Sequence, residues 1–89
     1  MTGEIKGAFI KIQDVSFGII ETNYAILSNS AKANGFIKNF AFIFPNYPIV
    51  LLAYNEALKP VYYGKPELVK LLVNIHPSQI PWKRYHYRK

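Results

Sequence analysis

The feature of this sequence that most constrains the fold is an uninterrupted apolar run, Ile49–Tyr54, with the sequence IVLLAY. The run shows no alternation between apolar and polar residues, so a strand built from it would be apolar on both sides. Such a strand is stable when other layers cover both of its faces, as in the interior of an α/β sheet. The run therefore predicts an interior strand with helices packed around it.

The residues before this run predict two strands and a helix. Residues 8–12 and 17–21 are β-branched and aromatic, and the polar residues 13–14 between them are typical of a turn. Residues 28–30 (SNS) can cap the first turn of a helix, which Pro45 ends. The apolar positions that share one face of this helix are Ala33, Phe36, Ile37, Phe40, Ala41 and Phe44.

The residues after the run predict a hairpin and a second helix. Residues 55–60 have the length of a hairpin loop, and residues 61–63 (VYY) form the returning strand. Pro66 suits the first turn of a helix, because its missing N–H would have no partner there. The apolar stripe of this helix is Leu68, Leu71, Leu72 and Ile75.

These elements follow the order β-β-α-β-β-α and predict a small α/β (or α+β) domain over residues 1–80. We expect a mixed sheet of about four strands with the helices packed on it. The first helix is long enough to connect two parallel strands. Residues 81–89 are interpreted as a basic aromatic C-terminal tail.

Residues 17–75 resemble the second half of the thioredoxin fold, in which a proline precedes a buried strand and a glycine precedes the final helix. Pro48 and Gly64 occupy those positions here. The resemblance implies that Pro48 could be cis, and the isomer is left open. The family's catalytic dithiol is absent, so its redox activity does not transfer. The segments PIVLL, YYGKPELV and IPWKRY are also similar to a group of short uncharacterised bacterial proteins.

The positive charge of the chain is concentrated at its end. Residues 81–89 carry four of the 11 cationic side chains and none of the five acidic ones. Cations bind phosphates and aromatic rings stack on bases, so the tail is a candidate site for nucleic acid or another polyanion. The alternatives are a solvated chain end and a site for a protein partner or a paired strand. The candidate binding residues are Trp82, Lys83, Arg84, Tyr85, Arg88 and Lys89.

Two further features indicate possible sites. In the YYGKP segment, one of Tyr62 and Tyr63 is expected to face the core, and the other could line a ligand or anion pocket with Lys65. The alternative is a tight strand-to-helix turn. Phe42 falls on the polar side of its predicted helix. It indicates either an irregular last turn or a contact between subunits.

The composition offers few groups for catalysis. The chain has no cysteine, two histidines and five scattered acids, so we expect no enzyme activity, metal or cofactor. It shows neither a secretory signal nor a membrane-spanning stretch, and we expect a cytoplasmic protein with no membrane partner.

The first hypothesis is a non-enzymatic module that self-associates as a homo-oligomer or binds a protein partner. Polyanion binding is the alternative, and a small enzyme site near Tyr62 and Lys65 is the third.

Overall fold

The computed structural model describes residues 2–88, which form a five-stranded mixed sheet with helices on both faces. The strands lie in the order β4-β3-β2-β1-β5. Their bounds are Thr2–Ile12 (β1), Val15–Glu21 (β2), Ile49–Tyr54 (β3), Pro60–Tyr63 (β4) and Lys83–Arg88 (β5). The helices are Tyr24–Leu27 (α1), Ser30–Phe40 (α2) and Pro66–Leu72 (α3), with 3-10 turns at Ala41–Ile43 and Pro77–Gln79.

The prediction of about four strands is wrong, because the segment interpreted as a tail contains a fifth. β5 pairs antiparallel with β1, with Gly3 opposite Tyr87 and Gly7 opposite Lys83. Its tyrosines alternate with charged residues, which is the period-2 pattern of a half-buried strand. A paired strand was one of the alternatives for this segment. The pairing also extends β1 to Thr2, six residues before its predicted start at residue 8.

The pairing around β3 agrees with the sequence. β3 runs parallel to β2 and antiparallel to β4, as the predicted crossover and hairpin require. Five of its six residues are buried, so the prediction of an interior strand is confirmed. Residues 2–88 contain no cis peptide bond. Pro48 is therefore trans, unlike the proline at that position in the thioredoxin family.

Alternate residues of β3 belong to two separate cores. Val50 and Leu52 point to the face covered by α3, where Leu68 and Leu72 complete the packing. The residues between them point to the opposite face, covered by α1 and α2. This second core contains Ile5, Ile20, Ala33, Phe40, Phe44, Ile49 and Leu51. The continuous apolar run is thus explained by a helix layer on each side of the sheet.

The helix α2 ends earlier than its apolar pattern predicts. Asn29 caps its start by accepting hydrogen bonds from the N–H groups of Ala31 and Lys32, at 2.9 and 3.2 Å. The helix stops at Phe40, and residues 41–43 continue as a 3-10 turn. The tighter turn changes the direction of the chain, and Phe44 after it is buried on the sheet. Phe42 thus lies in an irregular last turn.

Aromatic rings form a row across the α2 face of the sheet. Its pairs include Phe9 with Tyr47, Phe44 with Tyr85, and Phe40 with Tyr87, at centroid distances of 4.7, 5.3 and 5.1 Å. We call this the aromatic row, with members Phe9, Phe40, Phe42, Phe44, Tyr47, Tyr85 and Tyr87.

The aromatic row lies directly on glycines of the sheet. A Cβ atom added to Gly18 would come within 2.3 Å of the Phe44 ring, and one added to Gly3 within 2.4 Å of the Tyr87 ring. Contacts this short require the ring to move. The two glycines therefore create the space in which the rings pack.

We expect Gly18→Ala to lower the free energy of unfolding by about 1–3 kcal/mol, the usual cost of overpacking. Gly35→Ala is the matched control. Gly35 is inside α2 with nothing within 4 Å of the added methyl, so alanine there should raise stability by about 0.5–1 kcal/mol. Urea unfolding of both variants measures the difference. An unchanged midpoint for Gly18→Ala would show that Phe44 does not depend on this space.

Candidate functional site

The structure divides the predicted tail residues between the two faces of β5. Tyr85 and Tyr87 belong to the aromatic row and pack edge-on against Phe44 and Phe40. Lys83, opposite Gly7, lies on this same face. The two tyrosines are half-buried parts of the core, so their rings are not arranged as an open surface for stacking bases.

Arg84, His86 and Arg88 lie on the opposite face of β5. Arg84 Nη1 lies 3.2 Å from Glu4 Oε1, and His86 Nδ1 lies 3.8 Å from Glu4 Oε2. The arginine and histidine side chains are more than three-quarters exposed, so these pairs contribute little to stability. Glu4 nevertheless offsets part of the charge that sequence reasoning assigned to a polyanion.

Trp82 is used within the fold. Its indole Nε1–H donates to the carbonyl oxygen of Pro77 at 3.0 Å, and Lys6 Nζ lies 5.3 Å from its ring centroid. The tryptophan thereby joins the 3-10 turn at 77–79 to the start of β5. Lys89 lies outside the described residues. The predicted tail residues that the structure describes therefore do not share one surface.

Both edges of the sheet carry features that oppose pairing with another strand. The outer edge of β5 carries Lys83, Arg84 and Arg88, and charged edge strands repel other copies of the same edge. The other edge, β4, has four residues and begins with Pro60, which has no N–H to donate. Neither edge is favourable for self-association.

Exposed aromatic residues occur at both ends of the aromatic row. Phe42 is 53% exposed at one end, and Phe9 and Tyr47 are 42% and 48% exposed at the other. Phe9 and Tyr47 border a shallow depression of about 250 Å³, which Ile43, Phe44 and Pro45 complete. We call Phe9, Phe42, Ile43, Pro45 and Tyr47 the aromatic surface.

The sequence indicated Phe42 but not Phe9 or Tyr47. Phe9 was predicted only as part of a strand over residues 8–12, and nothing in that pattern indicates that its ring is exposed. The sequence offers one indication that Tyr47 is exposed. It lies between Pro45 and Pro48, in a loop where a large side chain has little cover.

The YYGKP segment lines a groove of about 600 Å³ between α2 and the turn that joins β4 to α3. Tyr63 lies in this groove, where its hydroxyl donates to Asn34 Oδ1 at 3.0 Å, and Lys65 lies beside it. We call this the β4–α3 groove. Its lining consists of Asn34, Ile37, Asn46, Pro48, Ile49, Tyr63, Gly64 and Lys65.

Sequence reasoning grouped Lys65 with Tyr62 or Tyr63 but did not find Asn34 or Asn46. Both asparagines come from other parts of the chain, the first from α2 and the second from the loop before β3. No spacing in the sequence indicates that they meet. Asn46 adopts a left-handed backbone conformation, with φ of 71°. Asparagine tolerates this conformation better than most residues, so its place in the loop before β3 has a local reason.

Tyr62 faces away from the groove and packs against the core beneath α3. Among residues 2–88, its hydroxyl is the one buried side-chain polar atom without a hydrogen-bond partner. Burial raises the pKa of the Tyr62 phenol above its ordinary value, and the neighbouring Tyr54 phenol adds to this rise. Tyr62 is therefore a packing residue, and the groove contains Tyr63 alone of the two.

The described residues contain no cluster of metal-binding side chains and no helix that could span a membrane. Within residues 2–88, no three histidine or acidic side chains come close enough to hold an ion. No helix in this range is both long and apolar enough to cross a bilayer.

Comparison of the chain with protein-family models, with curated proteins and with solved structures gave no match. The resemblance to the thioredoxin fold stays a prediction.

We expect Tyr62→Phe and Tyr63→Phe to have different effects on stability. Removing the unpartnered Tyr62 hydroxyl should leave stability at pH 7 unchanged or higher, whereas Tyr63→Phe loses the bond to Asn34 and about 0.5–1 kcal/mol. Chemical unfolding of the two variants beside the wild type measures this difference. Equal destabilisation by both would contradict the assignment of the two tyrosines.

The Tyr62 phenol should also make the protein less stable in alkali. The pKa of this phenol is higher in the folded than in the unfolded chain, so the folded chain resists its ionisation. The free energy of unfolding is therefore unaffected by this group below about pH 10 and falls as the pH rises further. Melting temperatures at pH 7 and above pH 10 test this. Tyr62→Phe should lose less stability over that interval than the wild type or Tyr63→Phe, and an equal loss in all three proteins would contradict the expectation.

Proposed function

We propose that this protein is a non-enzymatic interaction module that associates with a second copy of itself through the aromatic surface. The observation that carries the proposal is the exposure of Phe9 and Tyr47 at an apolar depression, together with that of Phe42 at the other end of the aromatic row. None of the described residues that line this depression is charged. A surface of this kind loses unfavourable contact with water when an identical surface covers it.

The chain exposes more surface than an average monomer of its mass. The accessible surface is 6004 Å², whereas a globular monomer of this mass, 10.2 kDa, is expected to expose about 5,300 Å². Part of this excess comes from large apolar side chains that the fold leaves exposed, among them Phe9, Phe42 and Tyr47. A partner that covered them would reduce the exposed apolar area.

The charges of the molecule favour this surface over the sheet edges. Pairing two β5 strands would bring Lys83, Arg84 and Arg88 close to the same residues of the other copy, and like charges across a strand pair are destabilising. No charged residue lines the depression of the aromatic surface among the described residues. The association is therefore proposed through side chains on one face of the sheet.

Polyanion binding is a second candidate, favoured by the exposed arginines Arg84 and Arg88 on one face of β5. The ion pair with Glu4 and the packing of Tyr85 and Tyr87 count against it. An enzyme site in the β4–α3 groove ranks last, since no histidine or acidic residue lines that groove among the described residues.

Sedimentation velocity over a range of protein concentrations tests the proposal. We expect a monomer–dimer equilibrium whose dissociation constant rises at least tenfold in Tyr47→Ser, equivalent to about 1.4 kcal/mol. Tyr24→Ser is the matched control, because Tyr24 is 44% exposed but lies in α1 outside the aromatic surface. The control should associate like the wild type.

Three results would contradict the proposal: a monomer at every concentration, equal weakening by both substitutions, or association that requires co-purified nucleic acid. The last would show as a raised ratio of absorbance at 260 to 280 nm. It would favour the polyanion candidate, particularly if Arg84→Ala with Arg88→Ala removed the nucleic acid.

A further inference from the structure

We propose that the β4–α3 groove binds a small monocarboxylate with an apolar body. This inference concerns a different set of side chains from those proposed for self-association, because the groove and the apolar depression share no lining residue. It depends on three properties of the groove: its donors, its apolar wall and its fixed shape.

The polar side chains of the groove present hydrogen-bond donors and a single positive charge. Lys65 supplies an ammonium group that only donates, and the described lining contains no acid to neutralise it. Tyr63 donates its proton to Asn34 Oδ1, which orients this amide and leaves its NH₂ group available to donate. Asn46 adds a second amide. An ionised carboxylate, which only accepts hydrogen bonds and carries one charge, complements this set.

The remaining wall of the groove is apolar. Ile37, Pro48 and Ile49 line it between the two asparagines. The volume of about 600 Å³ lies within the range of small-molecule sites, which combine a mostly apolar lining with a few placed polar groups. A fully polar anion such as inorganic phosphate would leave this wall exposed to water. The apolar wall therefore favours a carboxylate attached to a ring or a short hydrocarbon.

The backbone holds the wall that carries Lys65 against the sheet. A Cβ atom added to Gly64 would lie 3.0 Å from Val50 Cγ2 and 3.3 Å from Val50 Cα, so this turn sits close to the backbone of β3. On the opposite side, the bond between Tyr63 and Asn34 joins β4 to α2. Groups that are already fixed lose less conformational freedom when a ligand binds.

The test is an NMR titration of the isotopically labelled full chain with benzoate, and with benzamide as the uncharged isostere. We expect saturable shifts of the Asn34 and Asn46 side-chain amides and of the Gly64 backbone amide, with half-saturation at about 1–10 mM for a ligand of this size. Benzamide should bind at least tenfold more weakly. Inorganic phosphate is the third probe and should not saturate these signals.

Two variants identify the contribution of the charge. Lys65→Gln should weaken benzoate binding at least fivefold, whereas Lys59→Gln, an exposed lysine of the β3–β4 turn outside the groove, should leave it unchanged. The titration curves of both variants are compared with that of the wild type after thermal unfolding shows that each is folded.

The proposal is overturned if benzoate gives no saturable shift up to about 50 mM, well above the expected range. It is also overturned if benzamide or phosphate binds as well as benzoate, if Lys65→Gln binds like the wild type, or if the shifts fall on the aromatic surface instead of the groove.

Discussion

The contact between aromatic rings and bare glycine backbone is the constraint on which the rest of the structure depends. Phe44 lies on Gly18 and Tyr87 lies on Gly3, at distances that leave no space for a methyl group. The second contact holds β5 against β1. The first fixes the start of the loop formed by residues 44–48, which supplies Pro45 and Tyr47 to the aromatic surface and Asn46 and Pro48 to the groove. Both proposed sites therefore depend on one buried ring.

The elements that the sequence predicts well are those with a local cause. The IVLLAY run predicts a strand with both faces covered, and the turn at residues 13–14 joins β1 to β2 with positive φ at Gln13 and Asp14. The elements it predicts poorly depend on distant partners. β5 is a strand because β1 offers it an edge and the aromatic row accepts its tyrosines. The early end of α2 depends on the place that Gly18 leaves for Phe44.

The candidate sites divide in the same way. The YYGKP segment identifies one wall of the groove, because a strand, a glycine and a helix-starting proline are adjacent in the chain. The opposite wall comes from α2 and from the loop before β3, and only the fold brings Asn34 and Asn46 to it. The basic tail was a candidate binding site, with strand pairing as one of the alternatives. The structure has a paired strand whose side chains alternate, so Tyr85 packs on the core and Arg84 points to the opposite face.

The pairing of β1 with β5 has a consequence for the order in which the chain folds. The two strands meet across almost the whole sequence, with Gly3 opposite Tyr87. Closing such a long loop has a large entropic barrier, so the local β1–β2 and β3–β4 hairpins can assemble before β5 arrives. In that interval the eleven residues of β1 form an open edge whose glycines lack their covering rings. A sheet in which β5 has not yet paired is therefore more prone to aggregation than the native fold, because it exposes this edge.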